Sequence, residues 1–160
     1  MYTLPHPLLL RNADEDDAAF ARALYASTRD DLRALPLPPA MVDNLIAMQQ
    51  QAHEQGRQSA FPDAEVLILE HAGEPAGRIV FDTAGAHWRL VDLALLPAQR
   101  GRGLAHTALL ALQQRAELRG ASIGLSVMRT NAIALALYQR TGFAIVDSDE
   151  LRHEMRWQPA

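Results

Sequence analysis

From Val91 to Ala105 the chain reads V-D-L-A-L-L-P-A-Q-R-G-R-G-L-A. An apolar strand stops at Pro97 and passes through Gly101 and Gly103 into a helix. Glycine carries no Cβ, so backbone can approach a ligand closely at both positions. The helix that follows offers unpaired N–H groups and the positive end of its dipole. Arg100 and Arg102 add fixed positive charge. These features together suit a pyrophosphate. The loop is not a Walker loop, because no Gly-Lys-Ser/Thr follows, and His106 stands where a dinucleotide fingerprint needs its third glycine. Taken alone, an ordinary glycine-containing strand-to-helix turn stays open as a reading.

A second device follows about 20 residues later: I-G-L-S-V-M-R-T-N-A-I-A-L-A-L-Y-Q-R-T-G-F, Ile123 to Phe143. It reads as a strand, then a short helix from Asn131 to Arg140 that stops at Gly142. Asn131 and Tyr138 are seven positions apart, about two helical turns, so they share a face. Ala134 lies between them and is small enough to admit a ligand. A core aromatic in an amphipathic helix is the alternative for Tyr138.

Read in order, R-x-x-G-x-A and N-x-x-A-x-x-L-Y-x-x-x-G-F resemble the GCN5-related N-acetyltransferase (GNAT) superfamily. The close match covers about a third of the chain, and the predicted element order extends it over most of the rest. One departure is mild: Ala105 stands where glycine is equally usual. The resemblance implies an α/β (α+β) fold over one domain, residues 1–160. It has a mixed, mostly antiparallel sheet of six to seven strands, about four helices, and a parallel strand pair that splays at the cofactor. It implies acetyl-CoA as co-substrate and direct attack of a primary amine on the thioester in a ternary complex. The backbone of Leu93, Ala94 and Leu95 would hold the pantetheine arm. Arg100, Gly101, Arg102, Gly103, Leu104 and Ala105 would hold the pyrophosphate. Asn131, with Ala134 on the same face, would meet the pantetheine side, Arg140 a phosphate, and Tyr138 would protonate the departing thiolate.

The group that receives the amine's proton is read from the residues. Asp92 interrupts an otherwise apolar strand just before the cofactor segment. A buried carboxylate there is costly unless used or paired. It is expected to orient and deprotonate the amine; a charge partner for Arg78 or Arg89, or simply an outward-facing strand residue, is the alternative. Tyr25 joins Asp92 as an acceptor-side candidate, because the family lines that site with its two early helices and their joining loop. Relatives that acetylate ribosomal-protein N-termini carry a glutamate where this chain has Ser126, which counts against that subclass. A non-catalytic domain of the same fold that senses acetyl-CoA is the alternative function. Tyr138 favours the enzyme, since a sensor needs only the cradle.

Composition narrows the chemistry. The 160 residues are 49% hydrophobic and 21% charged, values for a soluble domain with a full core. There is no cysteine, which removes disulfides, thiolate metal sites and a cysteine acyl-enzyme. All 15 basic residues are arginine, which removes a Schiff-base lysine. The net charge of −4 disfavours nucleic acid and anionic membrane as partners. Arg100, Arg102, Arg129 and Arg140 are expected to form a local positive patch. The first residues lack the basic start and long apolar run of a signal peptide, no segment is apolar enough to span a membrane, and a cytoplasmic place is expected. The expected partner is a small-molecule or peptide amine; a homodimer is left open.

Along the chain, Leu8–Arg11 reads as a strand. Asn12-Ala13-Asp14 caps a helix whose first turn holds Glu15, Asp16 and Asp17. Prolines 36, 38 and 39 break the chain before a second helix that begins at Pro38 or Pro39 and runs towards Gln58. His53 on it has no spaced partner and reads as a solvated histidine. Strands are expected over Glu65–Glu70, Ala76–Phe81, His87–Leu95, Ile123–Val127, Phe143–Val146 and Leu151–Trp157, with a helix over Gly103–Leu118.

Overall fold

The computed structural model describes residues 2–160. Seven strands make one sheet: β1 (Leu8–Asn12), β2 (Glu65–His71), β3 (Glu74–Asp82), β4 (His87–Leu95), β5 (Ser122–Met128), β6 (Ala144–Ser148) and β7 (Arg152–Trp157). They lie in the order β1-β2-β3-β4-β5-β7-β6. Every neighbouring pair is antiparallel except β4 with β5. The helices are α1 (Ala18–Ser27), α2 (Asp30–Arg33), α3 (Pro39–Ala60), α4 (Leu104–Leu118) and α5 (Ala132–Arg140). About four are expected from the sequence; the addition is the four-residue α2, whose first turn carries Asp30 and Asp31 where the dipole favours them.

The acidic run near the start does two jobs. Asp14 and Asp17 form a reciprocal capping box around the turn Glu15–Asp17, which leads straight into α1. Both carboxylate oxygens of Asp17 also accept from Arg11 on β1 at 2.8 Å, so the helix start is fixed to the sheet.

Strand alternation sends side chains to two faces. On one face Leu67, Leu69, Ile79, Phe81, Ile123 and Leu125 pack against Leu104, Ala108, Leu109 and Leu112 of α4 and Tyr138 of α5. Phe81, Ile79, Leu109 and Leu112 are fully buried; burying each stabilises the fold by about 1.5–3 kcal/mol. Trp88 meets Phe81 edge-on at 5.6 Å and donates to the Gly85 carbonyl at 3.0 Å. A smaller cluster, Leu32, Val42 and Ile46 with Tyr25 and Leu45, joins α1, α2 and α3 on the other face.

Two irregularities in β4 shape everything downstream. On β3, Val80 lies opposite Asp92 and Phe81 opposite Leu90, so Val91 is an extra residue, a β-bulge. Parallel pairing with β5 stops after His87–Ser122, Trp88–Ile123 and Arg89–Gly124. Beyond Arg89 the two strands part, and among the described residues the remainder of β4 has no strand partner on that side.

Candidate active site

The bulge at Val91 resets which way β4 points its side chains. Trp88 and Leu90 face the main core before it, and Leu93 and Leu95 pack there after it. Asp92 and Ala94 therefore turn to the opposite face, towards α1 and α3. The expectation of a buried Asp92 is corrected by this: its side chain is 39% exposed, at the wall of a cavity. Its candidate charge partners are engaged elsewhere. Arg78 pairs with Glu54 at 2.9 Å, and Arg89 pairs with Glu154.

That cavity, about 210 Å³, is lined by Leu24, Tyr25 and Thr28 of α1 and its end, by Gln50, His53 and Glu54 of α3, by Arg78, and by Asp92, Leu93 and Ala94. His53 Nε2 lies 3.5 Å from Asp92 Oδ2. The neighbouring Asp92 carboxylate raises the affinity of His53 for its proton, against the opposing effect of partial burial. The expectation that His53 has no partner is thus corrected, while its solvated character stands, since its side chain is 51% exposed. Its partner sits on a distant strand that helix spacing cannot reveal. Glu54 is held below the usual carboxylate range: burial raises it, but hydrogen bonds from Arg57 and Arg78 outweigh that.

A signal for these residues was present. Val42 and Ile46 lie on the buried stripe of α3, and the same helical spacing continues through Gln50, His53 and Arg57. An apolar stripe that turns polar while still facing the protein marks a site.

The parting of β4 from β5 opens a second cavity, about 410 Å³, which shares Thr28, Leu93 and Ala94 with the first. Its walls include Leu95, Arg100, Ala105, Asn131, Ala134 and Tyr138. The Asn131 side-chain oxygen accepts from the Ala134 N–H at 3.1 Å and caps α5. Its amide NH₂ remains free to donate to a ligand. Tyr138 packs edge-on against Phe143 at 5.8 Å. Burial, followed by the negative charge of Asp92, pushes its phenol up to about 12. Its hydroxyl therefore keeps its proton over the whole physiological range.

The glycine loop borders a third cavity with Leu95, Arg100, Gly101, Gly103, Leu104, Ala105 and Arg140 on its walls. Gly101 and Gly103 have φ of 75° and 76°, and a Cβ at either would meet no protein atom within 4 Å. No side chain caps α4, so its first N–H groups stay available. Glycine cradle, free N–H groups and two exposed arginines fit a pyrophosphate. Arg129 does not join them, because it donates to the Asp149 carbonyl beside the β6–β7 turn. Arg102 is exposed and lies off the cavity wall. Ser126 accepts from Arg152 in a separate hollow with Asp147 and Glu154.

The family model described as "Acetyltransferase (GNAT) family" matches residues 21–143. No curated protein matches the sequence. Among solved structures, the PaiA N-acetyltransferase of Thermoplasma acidophilum, in complex with coenzyme A, superposes with a TM-score of 0.71 at 18% identity, covering 94% of this chain and 98% of that one. The ribosomal-protein-S18-alanine N-acetyltransferase of Escherichia coli gives 0.69 at 18%, covering 96% and 94%. The acetyl transferase from Salmonella typhimurium that modifies the N-terminal serine of ribosomal protein L7/L12 gives 0.69 at 16%, covering 99% of each. At such identities these likenesses speak for the fold.

Proposed function

The chain belongs to the GNAT family of acetyltransferases, whose members take acetyl-CoA as co-substrate, and on that premise we propose that it acetylates a primary amine of a small molecule or peptide by direct attack in a ternary complex. One observation carries the reading. Leu93 and Ala94 wall both the cavity beside Asp92 and the cavity beside Tyr138. A thioester along this part of β4 would have an amine site on one side and a proton donor on the other.

Each group then has a part. Arg100 to Ala105 bind pyrophosphate through backbone N–H groups and charge, with Arg140 at the far wall. Leu93, Ala94 and Leu95 offer the unpaired edge of β4 to the pantetheine amides. The Asn131 amide NH₂ faces the same arm. Asp92 draws the ammonium of the acceptor into place, and Tyr25 bounds its site. Tyr138 gives its proton to the leaving sulfur. The acceptor cavity is below the ~300–1,000 Å³ of sites for drug-sized ligands, which supports a small amine or the end of a chain.

The test is release of free thiol from acetyl-CoA by the purified protein, with amines, amino acids, aminoglycosides and peptides as acceptors. Amine-dependent release with an acetylated product supports the transferase. Saturable acetyl-CoA binding without release for any acceptor supports the sensing domain instead.

A further inference from the structure

Asp92 attracts an ammonium, but the proton that the ammonium must lose needs a destination. His53 is the one imidazole in the acceptor cavity. It reaches that cavity from α3, with Nε2 3.5 Å from Asp92 Oδ2. The Tyr25 ring stands 5.9 Å from its own, tilted by 35°, and Arg29 donates to the Tyr25 hydroxyl at 2.8 Å. The imidazole is thus bounded by a strand on one side and an anchored aromatic on the other. Its second nitrogen, Nδ1, has no hydrogen-bond partner among the described residues.

We propose that His53 takes the proton of the acceptor amine through Nδ1, and that Asp92 is the positioning partner that holds Nε2–H and the imidazolium. This rests on the transferase reading. The ammonium N–H breaks and its proton passes to His53, leaving a nitrogen lone pair. That pair forms the C–N bond to the acetyl carbon as the C–S bond breaks and its electrons go to sulfur. Sulfur takes the Tyr138 proton. The surplus proton on the new amide nitrogen restores the Tyr138 hydroxyl, and the His53 imidazolium releases its proton to solvent. The net products are amide, free thiol and one proton.

Imidazole suits this work because it exchanges protons near neutrality. The charged groups around it are Asp92 on β4, Glu54 on its own helix and Arg78 on β3, with Tyr25 the titratable neighbour on α1. The two carboxylates favour the imidazolium and Arg78 opposes it. Loss of the Asp92 charge should therefore let His53 lose its proton at lower pH.

Two measurements test this on the full chain. The first is a proton-NMR pH titration of the histidine ring signals. The signal absent from His53→Asn is that of His53, and in Asp92→Asn its midpoint should fall. An unmoved midpoint would overturn the pairing, with no turnover required. The second uses acetyl-CoA and whichever amine gives the fastest thiol release. His53→Ala should lose about 10²-fold in kcat, keep its acetyl-CoA affinity by calorimetry, lose the acidic limb of the pH–rate profile and regain part of the rate with added imidazole. His53→Gln is the second variant should the alanine form not fold. Full turnover with the acidic limb intact would overturn the role of His53. If the unaltered protein turns over no amine, the transferase reading falls, and this inference with it.

Discussion

Gly77 of β3 lies directly opposite Leu95 of β4, and the fit leaves no room for a side chain. A Cβ on Gly77 would overlap Leu95 Cδ2 and sit 2.7 Å from the Ala94 carbonyl oxygen. Leu95 can turn its side chain, but a backbone carbonyl in a paired strand cannot. Gly77→Ala should therefore push the Ala94–Leu95 segment outward at the point offered to the pantetheine arm. The expected cost is about 1–3 kcal/mol of stability, with a further loss of acetyl-CoA affinity in the folded fraction. Chemical denaturation and calorimetry measure the two separately. Unchanged affinity would show that this edge of β4 does not hold the ligand.

Tyr138→Phe should keep the packing against Phe143 and the affinity for acetyl-CoA, since only the hydroxyl is lost. Turnover should fall by roughly 10²-fold or more if proton delivery to sulfur limits the rate. Because burial and Asp92 hold the phenol at about 12, the Tyr138 donor should not titrate below pH 10. Steady-state kinetics on a working acceptor decides; equal turnover would mean that water protonates the thiolate.

The Arg11–Asp17 pair carries a pH-dependent share of stability. Hydrogen bonds from Arg11 lead the effects that hold the Asp17 carboxyl down at about 2, against its burial. The folded value lies below the ordinary one near 3.8. The contribution is therefore complete above pH 4 and is lost as pH falls towards 2. Asp17→Asn should lower the melting temperature at pH 7, and the difference from the unaltered protein should shrink below pH 4. A difference that is flat with pH would mean that packing, not charge, accounts for Asp17.

Much of this architecture is legible in the sequence. Alternation and turn residues placed β2 to β5 within a residue or two at most ends, and the limits of β4, His87 and Leu95, were read as they stand. The capped start before α1 and the proline start of α3 followed from local chemistry that needs no distant partner. What sequence withheld was long-range. The bulge at Val91 is a register event between two strands, and no residue type at Val91 announces it. Without it Asp92 would share the core face with Leu90, so the surroundings of Asp92 could not be read correctly. The same holds for His53, whose partner lies 39 positions away (92 − 53) on another element. The glycine loop was readable because its work is local: a positive φ, a helix start and neighbouring arginines within six residues.

The cavity walled by the Arg100–Ala105 loop as the seat of acetyl-CoA is the centre of this account. Gly103 has φ of 76°, and the space a Cβ would enter holds no protein atom within 4 Å. A calorimetric titration of acetyl-CoA into Gly103→Val, with folding verified by circular dichroism, tests it most directly. We predict saturable one-site binding for the unaltered protein and at least a tenfold weaker affinity for the variant, because the branched side chain blocks the approach of pyrophosphate to the α4 N–H groups. Equal affinity in a folded Gly103→Val protein would contradict the assignment of this loop.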